Sequence, residues 1–378
     1  MVQEFDAAVL GAGVAGASLA KTLADKGWNT VLIDRKTFPR HKVCGEFMSP
    51  ESIGLLHGLQ LEDTVSALNP ARITKARLIF PNGRIIEVPL PGTALGLSRY
   101  ALDTTLHKAA VCSGASLLDG HVVQAISQPS AGEGFAIQLR HSGEIQTIEA
   151  RTVVSAMGGS VPAGLPGHRR LPDKGEGYIG VKAHYDNMAI GSAVELYILK
   201  DGYLGLSPVE DGKINAAALV TSRLAKESGS SAILIMEQFI DMHPPLRKRM
   251  SQAELIPGTA AAVFPVHIGS RPQIWDRIPL AGDTAAVIPP LCGDGMAMAL
   301  RSSQLCAGMA DQFLRGELSY ENWRQAYTHA IRSEFLRPLN WGNMLHRLLK
   351  MPAAAWVLPQ LANTVPGLSS RLVRATRL

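Results

Sequence analysis

Gly11-Ala12-Gly13-Val14-Ala15-Gly16 is the stretch whose reading decides the fold, together with the run Asp6-Ala7-Ala8-Val9-Leu10 before it and Asp34 after it. Residues 6 to 10 predict a short buried strand, an apolar helix is expected from about Val14 to Lys26, and Asn29 to Asp34 predicts a second, parallel strand. In such a βαβ unit Gly11 permits the tight turn, Gly13 lets backbone approach a pyrophosphate, and Gly16 lets the helix lie close to the strand. The helix N-terminus then faces phosphate oxygens, and Asp34 accepts from ribose hydroxyls. A lone Gly-x-Gly-x-x-Gly is a weak signal. Strand, helix and acid in register make it a dinucleotide site.

The register does not separate NAD from FAD, so the choice falls to residues 279 to 300, Pro-Leu-Ala-Gly-Asp-Thr-Ala-Ala-Val-Ile-Pro-Pro-Leu-Cys-Gly-Asp-Gly-Met-Ala-Met-Ala-Leu. They predict a strand ending in Gly282-Asp283, a proline-bounded loop, and an apolar helix opened by Gly293 and Gly295. Such a helix start offers N–H groups and positive partial charge to the anionic N1–O2 edge of a reduced flavin. The same letters also read as an ordinary strand-turn-helix with a surface Asp283.

Gly-Asp-Thr-Ala with a downstream Pro and Gly-x-Gly resembles the flavin-contacting segment of the para-hydroxybenzoate hydroxylase superfamily, which includes flavin monooxygenases, flavin halogenases and geranylgeranyl reductases. The resemblance runs over nearly the whole chain. It implies that Asp283 bonds the ribityl chain of FAD and that Gly293 and Gly295 approach the isoalloxazine. Arg99, with Leu102, Asp103 and Leu106, is similar to the family's Arg-x-x-Leu-Asp-x-x-Leu helix, whose Arg contacts FAD; otherwise Arg99 is a solvent-facing i,i+4 partner of Asp103. Phe38-Pro39-Arg40-His41-Lys42-Val43-Cys44-Gly45-Glu46 is most similar to the reductase and halogenase branches, where a Cys-Gly turn sits beside the flavin. Ala15, Arg35, Val123, Gly282, Pro290 and Met296 complete the expected FAD-contacting set, with Gly11, Gly13, Gly16, Asp34, Cys44 and Gly45. Candidate catalytic groups near the flavin are Cys44, Glu46 and Tyr203. For Cys44 a packed, unreactive thiol is the simpler reading, its nearby cations being Lys42 and Arg40.

The implied fold class is α/β: a Rossmann-type FAD-binding domain (1–70, 99–175 and 270–315) interleaved with a β-rich substrate domain (71–98 and 176–269), plus a helical C-terminus (316–378). The β pattern supports this frame, with Arg77–Phe80 and Arg84–Val88 joined by an Asn-Gly hairpin turn, and strand-like runs at 193–199 and 213–216. The expected lid over the substrate contains Tyr197 and the loop Gly202-Tyr203-Leu204-Gly205-Leu206-Ser207-Pro208.

At 378 residues, with 46% apolar and 18% charged, the chain is long and apolar enough for a shared core, and its composition argues against disorder. The four cysteines (44, 112, 292 and 306) form no metal-ligand spacing, so no metal and no disulfide framework is expected, and reduced thiols point to a cytoplasmic protein. The acidic opening Met1–Asp6 is unlike a secretory signal, and no apolar run reaches the roughly 18 residues of a spanning helix. Basic residues gather only near the C-terminus (Arg332, Arg337, Arg347, Lys350, Arg371, Arg374 and Arg377), beside Leu348, Leu349, Trp356, Val357 and Leu358. That mixture suits a peripheral membrane contact or helices packing on the body, and not nucleic acid.

Ala156-Met157-Gly158-Gly159-Ser160 stands where relatives of the resembled family carry Ala-Asp-Gly before a Ser, so the acid is lost at Met157, and no second Gly-x-Gly-x-x-Gly is present. NAD(P)H is therefore expected as a transient reductant, or a separate electron donor replaces it. The five tryptophans are isolated, which disfavours the halogenase branch. The leading expectation is monooxygenation of a lipophilic or aromatic small molecule through a flavin C4a-hydroperoxide. The alternatives are reduction of a carbon–carbon double bond, as in geranylgeranyl reductases, and a non-catalytic flavin redox sensor.

Overall fold

The structure, a computed structural model, describes residues 2–128, 134–170, 177–229, 231–351, 353–364 and 374–378. Arg371 of the basic tail lies outside the described residues. The apolar run at the start forms the strand Gln3–Leu10, and the helix Val14–Asp25 returns the chain to a parallel strand, Thr30–Ile33. Ala7 pairs with Thr30 and Leu10 with Ile33, while the other edge of the first strand pairs in parallel with Glu144–Ser155. A six-stranded sheet results, in the order Ser116–Leu118, Thr30–Ile33, Gln3–Leu10, Glu144–Ser155, Phe135–His141, Val122–Ser127. Its central strands are apolar on both faces because both are covered, as parallel sheets require.

Helix Val14–Asp25 is buried along most of its length and packs on Arg99–Cys112 and Gly295–Leu314. The expected strand ending at Gly282 is shorter than its apolar letters suggest: Ile278–Pro279 pairs only with Trp275–Asp276, and Leu280 makes a parallel bridge to Ser155. That bridge brings the 282 turn to the carboxyl end of the parallel strands, where α/β sheets bind ligands.

The residues from 71 to 96 and from 178 to 266, with the short strand Phe47–Met48 at one edge, build one nine-stranded sheet. The Asn82-Gly83 hairpin pairs Ile79 with Ile85, and Ala71–Ile79 joins Ala193–Leu199 in parallel, Lys75 opposite Ala193. Side chains alternate across it. Val181, Ala183, Tyr197, Leu204, Leu206 and Val220 pack on one face against Ile235, Met236 and Phe239 of the helix Ala232–Met242. This helix, with Ser222–Glu227 and Pro244–Arg249, stands in the segment expected to be β-rich, where no helix was singled out. The opposite face looks back toward the first domain.

Two features correct the expected lid. Gly202–Pro208 is an interior strand, hydrogen-bonded to Ala193–Leu199 and Ile214–Thr221 on its two sides, so it is not a mobile loop. Tyr197 points to the far face, where its hydroxyl donates to Glu195 Oε2 at 2.7 Å, because an odd offset from Leu196 reverses its direction. The C-terminal region is helical, with Tyr320–Leu349 burying Trp323, Tyr327, Ile331 and Phe335, followed by Ala354–Thr364. Among the described residues no helix is long and apolar enough to cross a membrane.

Candidate active site

The glycine turn is as tight as its spacing implies. A Cβ on Gly11, at φ +97°, would stand 2.4 Å from the Ala156 carbonyl oxygen, and one on Gly16 would stand 1.8 Å from that of Gly11. Asp34 is buried, and its two carboxylate oxygens accept the N–H groups of Ala12 and Lys36, each at 2.9 Å. It braces the turn and keeps lone pairs for a further donor. Arg35 and Val123 line a small recess of about 50 Å³ with Gly11 and Asp34.

A cavity of about 720 Å³ opens from the other side of the turn and receives almost all the remaining predicted residues. Gly13, Ala15, Cys44, Gly45, Arg99, Gly282, Asp283, Pro290, Gly293, Gly295 and Met296 all line it, although they come from five separate segments. Gly282 (φ +59°) and Gly293 (φ +69°) are left-handed, and a Cβ on Gly293 would lie 2.8 Å from Phe47 Cδ1. These are positions where backbone is bared to a ligand and a side chain is refused.

Arg99 is buried, not solvent-facing: it grips Asp103 with Nε at 2.7 Å and Nη2 at 2.8 Å. Its Nη2 and Lys42 Nζ lie 3.5 and 3.4 Å from the place a Cβ would occupy on Gly13. Two cations thus converge on the turn expected to carry a pyrophosphate, which suits charge-assisted bonds to phosphate oxygens. Burial, reinforced by Arg99 and opposed by Asp103 and Asp283, pushes the Lys42 amine below its usual range. An anionic ligand would reverse that penalty. Sequence reading had treated Lys42 only as a neighbour of Cys44. Burial pushes the Cys44 thiol up, with Arg99 opposing, so Cys44 is a neutral thiol at the cavity wall.

Beyond the glycines the cavity is walled by the inward face of the nine-stranded sheet: Ala76, Leu78, Ile86, Val88, Val194, Leu196, Ala217, Leu219 and Val263, closed by Leu345, Leu349 and Leu358 of the C-terminal helices. Tyr203 belongs to this wall. Its ring is buried, and its hydroxyl, beside the Leu291 amide, makes no well-formed hydrogen bond.

Glu46 does not reach the open cavity. It is fully buried at φ +53°, where its carboxylate accepts from Lys182 Nζ at 3.0 Å, from the Arg99 N–H at 3.0 Å, and contacts His184 Nε2 at 2.5 Å. Burial alone would raise its pKa, but the His184 bond and the Lys182 charge hold it below the usual value. Lys182 and His184 were not picked out from the sequence. The available signal was two polar residues at even spacing in a strand whose odd positions, Ile179, Val181, Ala183 and Tyr185, are all apolar.

The basic tail is also corrected in part. Arg377 is not on the surface but enters the cavity wall, its guanidinium 3.6 Å from Asp294, while the Leu378 N–H donates to the same carboxylate at 3.2 Å. Asp294 lies between Gly293 and Gly295. Burial pushes its pKa up to about 6, with Arg377 opposing.

Residues 4–328 match the family model described as FAD binding domain. Among curated proteins, the chain is 28% identical over 324 residues to a menaquinone reductase of Mycobacterium tuberculosis, covering 81% of this chain and 76% of that one. It is 26% identical over 346 residues to digeranylgeranylglycerophospholipid reductase 2 of Methanopyrus kandleri, covering 88% and 83%. Among solved structures, a variant of the flavin-dependent brominase Bmp2 superposes with a TM-score of 0.80 at 17% identity, covering 98% of this chain and 94% of that one, which is a likeness of fold. The glycine turn, the paired cations above it and the family match over most of the chain agree: this protein belongs to the FAD binding domain family of flavin-dependent oxidoreductases.

Proposed function

We propose that the protein is an FAD-dependent reductase of carbon–carbon double bonds in a lipophilic, isoprenoid-like substrate. The observation that carries this reading is the aliphatic sheet face that forms the far half of the cavity, a surface suited to a hydrocarbon chain and poor in hydrogen-bonding groups. The names of the two curated relatives, both reductases, support it.

In this reading Lys42, Arg99 and the Gly13 turn hold the pyrophosphate, Asp34, Arg35 and Val123 bound the adenosine end, and Gly282, Asp283, Pro290, Gly293, Gly295 and Met296 border the isoalloxazine. FAD, when bound there, supplies hydride transfer or oxygen activation. The protein's own work is to hold substrate against it and keep water away, which the aliphatic wall does. Electrons reach the flavin from NAD(P)H bound transiently or from a separate donor.

A lipophilic substrate must leave a lipid phase, and the cavity wall points to where. Leu349 and Leu358 line the cavity, while the adjacent Met351, Trp356 and Val357 are exposed with Ile85, next to Lys350 and to Arg84, whose guanidinium stacks on Trp356 at 4.7 Å. Exposed apolar side chains ringed by cations fit an anionic bilayer surface.

The second reading, monooxygenation, uses the same cavity and FAD, with the buried Tyr203 ring as an aromatic part of the wall against which a ring substrate would pack. Anaerobic single turnover tests the first. Reduced flavin should be reoxidised under nitrogen by a long-chain prenyl alkene and not by its saturated counterpart. Flavin that stays reduced with every alkene overturns it.

A further inference from the structure

We propose that Glu46, Lys182, His184 and His41 form a proton relay that ends on the cavity wall at His41 and supplies the proton an alkene reduction consumes. This rests on the reductase reading. Lys182 and Glu46 are fully buried, and His184 is nearly so, on the cavity-side face of the strand Tyr178–Asp186. Lys182 Nζ lies 3.0 Å from Glu46 Oε1, 2.9 Å from His184 Nε2 and 3.2 Å from His41 Nδ1, and His184 Nε2 lies 2.5 Å from Glu46 Oε2.

One ring nitrogen cannot serve two such partners in one state. Protonated, His184 Nε2 donates to Glu46; unprotonated, it accepts from Lys182. The two arrangements differ by the position of a single proton, and the backbone holds both without rearrangement: the His184 N–H is tied to Thr259 Oγ1 at 3.0 Å. Around the cluster, Cys44 and Glu210 face Lys182, Arg99 is neutralised by Asp103, and the Tyr100 ring stacks on His41 at 4.9 Å. Glu46 is therefore the counter-ion of Lys182.

His41 is the outlet because it alone of the four lines the cavity. Burial, then the Lys182 and His184 charges, push its pKa down to about 4, so the ring is neutral at pH 7. With Nδ1 accepting from Lys182, the ring carries its proton on Nε2. For a hydride that bound reduced FAD would supply to one alkene carbon, the His41 Nε2 proton would go to the other, and Lys182 would pass a proton to Nδ1. His41, which borders the open cavity, would then take a proton from water at Nε2 and return its Nδ1 proton to Lys182. The alkene has then gained one hydride and one proton, and the flavin has lost two electrons.

The test uses the FAD-loaded protein. Nitrogen-15 NMR of the imidazoles should show His41 as the Nε2–H tautomer, titrating near pH 4, and Lys182→Met should move that titration toward the ordinary 6.5. In single turnover with a prenyl alkene, His41→Gln should slow the reaction about a hundredfold, the usual scale for losing a proton donor, and change its solvent isotope effect. Reduction of its flavin by dithionite should be unchanged. An Nδ1–H tautomer, or a His41→Gln enzyme with the wild-type rate and isotope effect, overturns the relay. If the wild-type protein reduces no alkene, the function fails, and the NMR titration still decides whether Lys182 and His41 share protons. His41 is partly exposed, so its substitution remains informative if Lys182→Met does not fold.

Discussion

Glu46→Gln keeps the shape of the side chain that joins Lys182, His184 and the Arg99 N–H, and removes its charge. Lys182, fully buried, would then keep two imidazole neighbours and no carboxylate within hydrogen-bond distance, only the more distant charge of Glu210. Breaking a buried pair by removing one partner costs about 3–5 kcal/mol. The alternative, folding with the amine neutral, costs about 5 kcal/mol at pH 7 from the ordinary lysine pKa, so the loss lies in the same range by either route. The sign with pH follows from the shifts. Lys182 already has a lowered pKa, chiefly from burial, and the substitution lowers it further, so the unfolded chain binds more protons than the folded one. The variant therefore recovers stability as pH rises toward 10, by up to about 1.4 kcal/mol per pH unit. Glu46 has a lowered folded pKa, so its contribution in the wild type is lost as pH falls through that value. The gap between the two proteins should be widest near neutrality and narrow toward pH 10. Urea unfolding followed by far-UV circular dichroism, from pH 4 to pH 10, measures it. A gap below about 1 kcal/mol, or one that does not change with pH, would refute the buried-pair account.

Gly293→Val places a side chain at a left-handed residue against Phe47 and should weaken FAD binding roughly tenfold to a hundredfold, from about 1–3 kcal/mol of strain, read as the flavin retained per protein on dilution. Arg99→Ala strands the buried Asp103 carboxylate and should yield a flavin-free, less stable protein, with a lower melting temperature; Arg99→Lys, lacking the two-pronged grip, should restore little of either. Leu196→Trp fills the aliphatic half of the cavity, so it should keep the flavin spectrum and lose alkene turnover. Trp356→Glu with Val357→Glu should cut co-sedimentation with anionic vesicles tenfold or more, on a scale of about 1.5–3 kcal/mol per apolar side chain withdrawn from lipid. Turnover of detergent-dispersed substrate should not change.

The dinucleotide half of the molecule was legible because its chemistry is local. A strand, three spaced glycines and Asp34 constrain one another within 30 residues, and the observed strand and helix ends differ from expectation by a few residues. Gly282 and Gly293 were legible for the same reason, as backbone requirements written in residue type. What escaped depends on contacts between distant segments. The lid went wrong because Gly202–Pro208 is glycine-rich and looks like a turn, whereas its glycines sit in a central strand whose neighbours are closely packed. Arg377 reaches the cavity from a tail whose letters suggest a surface, and Lys42, in the stretch expected beside the flavin, shows its place over the glycine turn only in the folded chain. The Glu46 cluster joins residues 136 and 138 positions apart, a separation no periodicity reports.

The central claim is that bound FAD delivers hydrogen to a carbon–carbon double bond in the aliphatic cavity. Its most direct test is the mass of the product formed from a polyprenyl substrate by the reduced protein, once under nitrogen in deuterated water and once under labelled oxygen. The account predicts product under nitrogen, heavier by two hydrogen equivalents, both of them deuterium because the hydrogen on N5 of a reduced flavin exchanges with water, and no label from oxygen. A product that forms only in oxygen and carries one labelled oxygen atom would contradict it.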